Sequence, residues 1–369
     1  MVTGLTSTKP FTREEHLAVS PLLFRILAAA FPLQWGSKYS RLDRSPHFLE
    51  YIFLRRLIRL KAVFGFGKSD TTNASPKPVS PGEIRLYRRY LAFSVPPLGV
   101  PEEKEALPAI RLLWVAHPKD FPVLTHSLEG ALRHTRNPVT SIAVVSPEPA
   151  QARETLNPII PAGIVVNFPH DNEYVPQEIR SRLNQALHSH GSWATQQLIK
   201  VFASLEYSSQ PTLVIDADTI FLQDKTWLYS DGSQLLYFRG FYNERYANFL
   251  RYWGFDDIDI LRSFVTHHML FQPGILQEVT TSVFGSLELG NIVDIVTSSA
   301  KALGYPEFCL EYEPYGQFMS GRHRDRVKFD KYSNLGLPRT FDEHGLHKTI
   351  KRLRQQGLFN SVSFHKPDR

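Results

Sequence analysis

From residue 110 onward, short apolar runs alternate with stretches of helical spacing. That alternation constrains the fold more than any other feature of the chain. "IRLLWVA" (110–116) reads as a strand, and "FPVLTHSLEGALRHT" (121–135) carries Leu124, Leu128, Ala131 and Leu132 on one helical stripe. "VTSIAVVSPE" (139–148) and "GIVVNFP" (163–169) read as further strands. "SWATQQLIKVFASLEYS" (192–208) reads as a helix that delivers the chain to "TLVI" (212–215). Apolar strands separated by helices predict an α/β fold with a mostly parallel, Rossmann-like sheet flanked by helices. In open sheets of this kind, ligands bind beyond the carboxyl ends of the strands.

"TLVIDADTIFLQD" (212–224) places two carboxylates at such an end. An unpaired charge beside an apolar run is expensive, so Asp216 and Asp218 need a cation or a donor to face. In an extended strand, residues two apart point to the same side. Hard carboxylate oxygens suit Mg²⁺ or Mn²⁺, ions that bind through one or two carboxylates and substrate phosphates. The loops at His117–Asp120 and Ser146–Glu148 follow other strands in the same way.

The rest of the chain bounds the setting. Its 369 residues suffice for one large domain or two smaller ones, and 42% hydrophobic with 21% charged residues is ordinary for a soluble protein. The single cysteine, Cys309, excludes an intrachain disulfide and suits a reducing, cytoplasmic compartment. No run approaches the roughly 20 apolar residues of a membrane-spanning helix. "SPLLFRILAAAFPL" (20–33) is interrupted by Arg25 and Pro32 and follows Glu14 and Glu15, unlike a signal peptide.

Cations concentrate near the start, within a formal net charge of +6. "FLEYIFLRRLIRLKAVFGFG" (48–67) reads as a basic helix that either packs on the main domain or lies on an anionic membrane surface. "KSDTTNASPKPVSPG" (68–82) reads as a linker, which divides a helical extension (1–82) from the main domain (83–369). Aromatics do not interleave with these basic residues in a nucleic-acid-binding pattern, so nucleic acid is not an expected partner.

Five pieces of the main domain carry a resemblance: "KDF" (119–121), "WATQQLIK" (193–200), "VIDADTIFL" (214–222), "THHMLFQPGIL" (266–276) and "EYEPYGQFM" (311–319). Together they resemble the GT-A class of nucleotide-sugar glycosyltransferases, and in detail the bacterial glycosyltransferase-like family DUF6492. The resemblance implies a GT-A-like domain acting on a UDP- or GDP-type sugar donor and the hydroxyl of a glycan or glycolipid acceptor. The implied setting is bacterial surface polysaccharide or glycoconjugate synthesis, on or near the inner membrane face.

The resemblance also implies residue roles. Asp218 would bind Mn²⁺ or Mg²⁺, and Asp216 would hold the ribose or assist the metal through water. His365, in "SVSFHKP" (361–367), would be a third metal ligand, with Lys366 on the diphosphate. Lys119 and Asp120 would meet the nucleobase and ribose, and Lys200 would lie near the nucleotide. His267 and His268 face opposite sides of a strand, so one of them enters the cleft, with His267 preferred for phosphate or sugar. Glu311, or else Glu313, would take the acceptor's proton, unless both only cap a helix start.

Two other classes compete. A HAD-type phosphohydrolase would use Asp216 as nucleophile, Asp218 as acid/base and "DDID" (256–259) as metal acids. Its motif normally ends the first strand, and Ile220 stands where Thr or Val is expected. A non-catalytic polyanion-binding protein would use the basic extension.

Overall fold

The computed structural model describes residues 106–365 apart from 208, 240–242, 260–261, 339–342 and 358. The extension expected over 1–82, its basic helix at 48–67 and Lys366 lie outside the described residues, as does the side chain of His365.

The chain runs β1 (Ile110–Val115), α1 (Phe121–His134), β2 (Val139–Val145), α2 (Pro149–Leu156), β3 (Val165–Asn167), α3 (Gln177–Leu187), α4 (Gly191–Glu206) and β4 (Thr212–Asp216). It continues through β5 (Thr219–Phe221), β6 (Gln234–Phe238), α5 (Glu244–Tyr252), β7 (His268–Phe271), α6 (Pro273–Phe284) and α7 (Leu289–Leu303). It ends with α8 (Tyr312–Arg322), β8 (Val327–Lys331), β9 (Asn334–Pro338), α9 (Glu343–Gln356) and β10 (Ser361–His365).

The central sheet has the order β3-β2-β1-β4-β7. Its first four strands are parallel, and β7 runs antiparallel to β4. The fold is therefore α/β with a mainly parallel sheet, as the alternation predicts. Apolar residues on both faces explain why. Leu113 and Val115 enter one core with Ala143, Val145 and Val214, while Leu112 and Trp114 enter another with Ile142, Val144, Leu213 and Ile215. Helices α1 and α2 cover the second face through Leu124, Leu128, Ala152 and Leu156. Helices α3, α4, α6, α7 and α8 cover the first through residues such as Leu183, Leu198, Leu276, Val293 and Met319. Each fully buried Leu, Ile, Val or Met among them contributes about 1.5–3 kcal/mol by leaving water.

Two smaller sheets complete the site end of the molecule. One has the order β5-β10-β9, and the other pairs β6 with β8. A third core joins Val123, Ile220, Leu222, Ile350, Leu353, Val362 and Phe364, so α9 and α1 hold β5 and β10 in place.

Two local expectations change. The strand read over 163–169 shortens to Val165–Asn167, because Gly163 has a φ of +91° and turns the chain just before it. The Asp216–Asp218 stretch does not continue as an extended strand. β4 stops at Asp216, Ala217 and Asp218 form a turn, and β5 begins at Thr219.

Among the described residues no single helix is long and apolar enough to cross a membrane.

Candidate active site at the end of β4

The turn between β4 and β5 is gripped from two sides. The Asp216 N–H donates to the His267 carbonyl at 2.8 Å, and the Phe364 N–H donates to the Asp218 carbonyl at 3.0 Å. The side chain of Asp218 accepts from the Thr219 hydroxyl at 3.3 Å, and that hydroxyl meets the Ser363 hydroxyl at 2.8 Å. The turn is thus pinned to the residue before β7 and to β10. These bonds bring the aspartates together, where the sequence reading relied on strand pleating.

Asp216 stands at the centre of a polar network. Its Oδ1 accepts from the Lys200 ammonium at 2.6 Å and from the Tyr312 hydroxyl at 3.0 Å. Its Oδ2 meets His267 Nδ1 at 3.0 Å. Burial works against the Asp216 charge, but Lys200 and the His267 bond outweigh it and hold the carboxyl well below the usual range. Burial likewise works against the Lys200 ammonium, and the neighbouring Asp216 carboxylate more than restores it, well above the ordinary lysine value. Asp216 remains a fifth exposed at 22%, whereas Lys200 is sealed at 4%.

Lys200 reaches the site from within the protein, through Asp216. It lies on α4 inside the protein, with Glu311 Oε1 at 3.2 Å and the Tyr312 ring centroid at 4.7 Å. The carboxyl-terminal turns of α4 pack inward, and burying an unpaired ammonium would be prohibitive, so two acids accompany it.

Glu311 and Glu313 flank the start of α8. Glu311 is 5% exposed, and burial pushes its pKa up, with Lys200 partly opposing. Glu313 is 4% exposed; its Oε2 accepts from the Ser263 hydroxyl and the Phe264 N–H, and its Oε1 accepts from Gln317. Burial also raises the Glu313 pKa. Neither carboxylate meets the open side of the site in this structure. Glu311 braces Lys200, and Glu313 braces the loop at Ser263 and Phe264.

His267 and His268 do face opposite sides. His267 is 21% exposed and turns toward Asp216. His268 is buried and meets Phe221, Trp227, Tyr237 and Tyr332 edge-on, with centroids 4.9–5.5 Å away. Burial lowers its pKa to about 3, so it stays neutral in this aromatic box. The Tyr332 hydroxyl also accepts from the His267 N–H at 3.2 Å.

The remaining expected residues are spread around the same end. Lys119 and Asp120 form the turn after β1, whose Val115 pairs with Asp216. Lys119 is exposed and Asp120 half-buried. His365 is the last residue of β10, one position beyond the Phe364 that bonds to Asp218.

Sequence reasoning missed Tyr312 and Tyr332. Tyr312 sits between two glutamates in "LEYEPYG", a placement that hints at a polar contact, but its partner is 96 residues away. No local pattern signals Tyr332.

Asp216, Asp218 and His267 each offer one ligand atom within 4.8 Å of the other two, and all three are half-buried. They are the one such group of His, Cys, Asp and Glu among the described residues. Asp256 and Asp257 are exposed elsewhere, and Asp259 pairs with Arg262 at 2.8 Å. The metal acids that a phosphohydrolase reading needs are therefore not beside Asp216. Its nucleophile is also engaged at both oxygens.

No protein-family model matches the chain, so the likeness to DUF6492 rests on the quoted residues alone. No curated protein matches it in sequence. Among solved structures, the mannosyltransferase Ktr4p from S. cerevisiae is similar at TM-score 0.43 and 12% identity, over 71% of this chain and 80% of that one. Its complex with GDP is similar at TM-score 0.43 and 12% identity, over 73% and 83% of the two chains. Likeness at that level does not assign an activity to this chain.

Proposed function

We propose that the chain is a metal-dependent GT-A-type glycosyltransferase, which moves a sugar from a nucleotide-sugar donor to a hydroxyl acceptor. The observation that carries this reading is the convergence of Asp216, Asp218 and His267 just beyond the carboxyl end of a central parallel strand. That is where open α/β sheets bind their ligands.

The donor set fits a divalent cation, since carboxylate oxygens and an imidazole nitrogen suit Mn²⁺ or Mg²⁺. Such an ion stabilises the charge of a departing diphosphate as a Lewis acid. The chain's own residues supply position. Thr219 and Ser363 fix the Asp218 side chain, and β10 fixes its backbone. Lys200 and Tyr312 fix Asp216, and Glu311 fixes Lys200. From the family resemblance, Lys119 and Asp120, in the turn after β1, are taken to meet the nucleobase and ribose. His365, the last residue of β10, is retained from the family resemblance as a third metal ligand, and Lys366 as a contact to the diphosphate. The acceptor class, the bacterial polysaccharide setting and a cytoplasmic position against the inner membrane rest on the same resemblance.

The test is hydrolysis and transfer measured over a panel of nucleotide sugars with Mn²⁺, alongside release of phosphate from an aryl phosphate. The expected result is metal-dependent turnover of at least one sugar nucleotide, with Asp218→Ala reducing it more than about a hundredfold, in line with losing a preorganised electrostatic group. Phosphatase activity alone, or an unchanged rate in Asp218→Ala, would reject the assignment.

A further inference from the structure

Helix α9 carries its apolar and its charged residues on opposite sides. Leu346, Ile350 and Leu353 enter the third core with Val123 of α1. Lys348, Lys351 and Arg352 are exposed on the outer side. The His126 and His347 rings lie 6.2 Å apart, and Arg354 stands near enough to Arg133 and Glu129 to feel their charges. The steps from His126 to Arg133 and from His347 to Arg354 are equal in length, so α1 and α9 lie side by side and run in the same direction.

We infer that the joint outer face of α1 and α9 is a docking surface for an anionic lipid membrane, held through its phosphate headgroups. This face belongs to the main domain, apart from the turn at Asp216 and from the basic stretch at 48–67. It does not depend on the glycosyltransferase reading.

The face is cationic. Arg133 near the end of α1 and Arg136 just past it are exposed together with Lys348, Lys351 and Arg352, and Arg354 is half-buried beside them. Two acids, Glu129 and Asp224, stand among them, and Asp224 is engaged by His134 at 2.8 Å and by Arg136 at 3.5 Å. About four to eight Lys or Arg along an amphipathic helix attract anionic phospholipid, each raising affinity about fivefold.

The character of the face favours a membrane over a nucleic acid. Among the described residues the exposed large apolar side chains are Val165, Tyr252 and Leu287, on β3, on α5 and between α6 and α7. The face therefore has no exposed aromatic ring on which a base could stack between the cations. A membrane asks only for charge over a broad surface, which two parallel helices present. With no apolar side chain to insert, attachment is purely electrostatic, hence reversible and sensitive to salt.

The experiment uses the full chain and sedimented vesicles, of phosphatidylcholine alone or with about a third phosphatidylglycerol. The wild type should be retained by the anionic vesicles only, and released in about 1 M salt, where the screening length is about 3 Å. Lys348→Glu, Lys351→Glu and Arg352→Glu together should weaken retention more than about a hundredfold, since three factors of about five multiply. The control combines Arg251→Glu, Lys301→Glu and Arg322→Glu, exposed positions on α5, α7 and α8 over the other core, and changes the net charge equally. It should lose less than about tenfold, because distant charges are screened. Circular dichroism and urea unfolding check that both variants fold. If the α9 variant does not, acetylation of the wild type replaces it: anionic vesicles should shield Lys348 and Lys351 and leave Lys301 reactive.

The inference is overturned if the folded α9 variant is retained like the wild type, or weakened no more than the control. It is equally overturned if vesicles leave Lys348 and Lys351 as reactive as Lys301, or if the wild type is retained by neutral vesicles as well as by anionic ones, or by neither. Retention by a single-stranded oligonucleotide in place of the vesicles would assign the face to nucleic acid and overturn it too. Sugar-nucleotide turnover plays no part in these readouts, so this result and that of the donor screen stand or fall separately.

Discussion

Lys331 shows how one buried charge sets a pH dependence. It ends β8 at 8% exposure, and burial lowers its pKa to about 7. In the unfolded chain it titrates near the model value of 10.5. Between those values the unfolded state binds a proton that the folded state has lost, so stability rises as pH increases across that window. The slope from this group is about 1.4 kcal/mol per pH unit. Wild type should therefore gain stability from pH 7 to pH 9 relative to Lys331→Met, measured by urea unfolding. Parallel pH profiles for the two proteins would show that the ammonium is not penalised. At the same scale, the neighbours His267 and His268 show what alternation can tell. Their opposite orientation was readable from the strand period, and only the fold revealed that aromatic rings enclose one and Asp216 holds the other.

Among the elements, α8 matters most to the site, since Glu311 precedes it and Tyr312, Glu313 and Gln317 lie on it. Its Gly316 packs directly against Phe264, and a Cβ there would overlap that side chain. Gly316→Ala should cost about 1–3 kcal/mol, the usual range for overpacking. Because the same helix carries Tyr312, turnover should fall as well; an unchanged unfolding midpoint would contradict this packing. The strands β1, β2 and β4 and the helices α1 and α4 were legible because each carries a local apolar period. The antiparallel direction of β7, the pairing of β6 with β8 and the Lys200–Glu311 contact were not. Each depends on residues brought together from afar, Lys200 and Glu311 being 111 positions apart. Asp216 and Asp218 were readable as a candidate pair of ligands at a strand end. The buried cation that neutralises one of them was not, since Lys200 sits in a helix whose spacing reads as ordinary.

For the whole molecule, the carboxyl-terminal strand closes the structure around the site. β10 lies between β5 and β9, fills the third core with Val362 and Phe364, and bonds to Asp218. A chain truncated after Gly357 should lose cooperative unfolding and become sensitive to limited proteolysis, while Asp218→Asn keeps both properties of the wild type. A truncated chain that unfolds as sharply as the full one would mean that β10 is not structural.

A glycosyltransferase of the proposed kind binds a nucleoside diphosphate together with a divalent cation at the end of β4. Isothermal titration of UDP and of GDP, each with and without Mn²⁺, tests it most directly. One of them should bind more than about tenfold tighter with Mn²⁺, a gain of about 1.4 kcal/mol, and Asp218→Asn should lose that gain. Absence of binding by both, or equal binding with and without the ion, would contradict it.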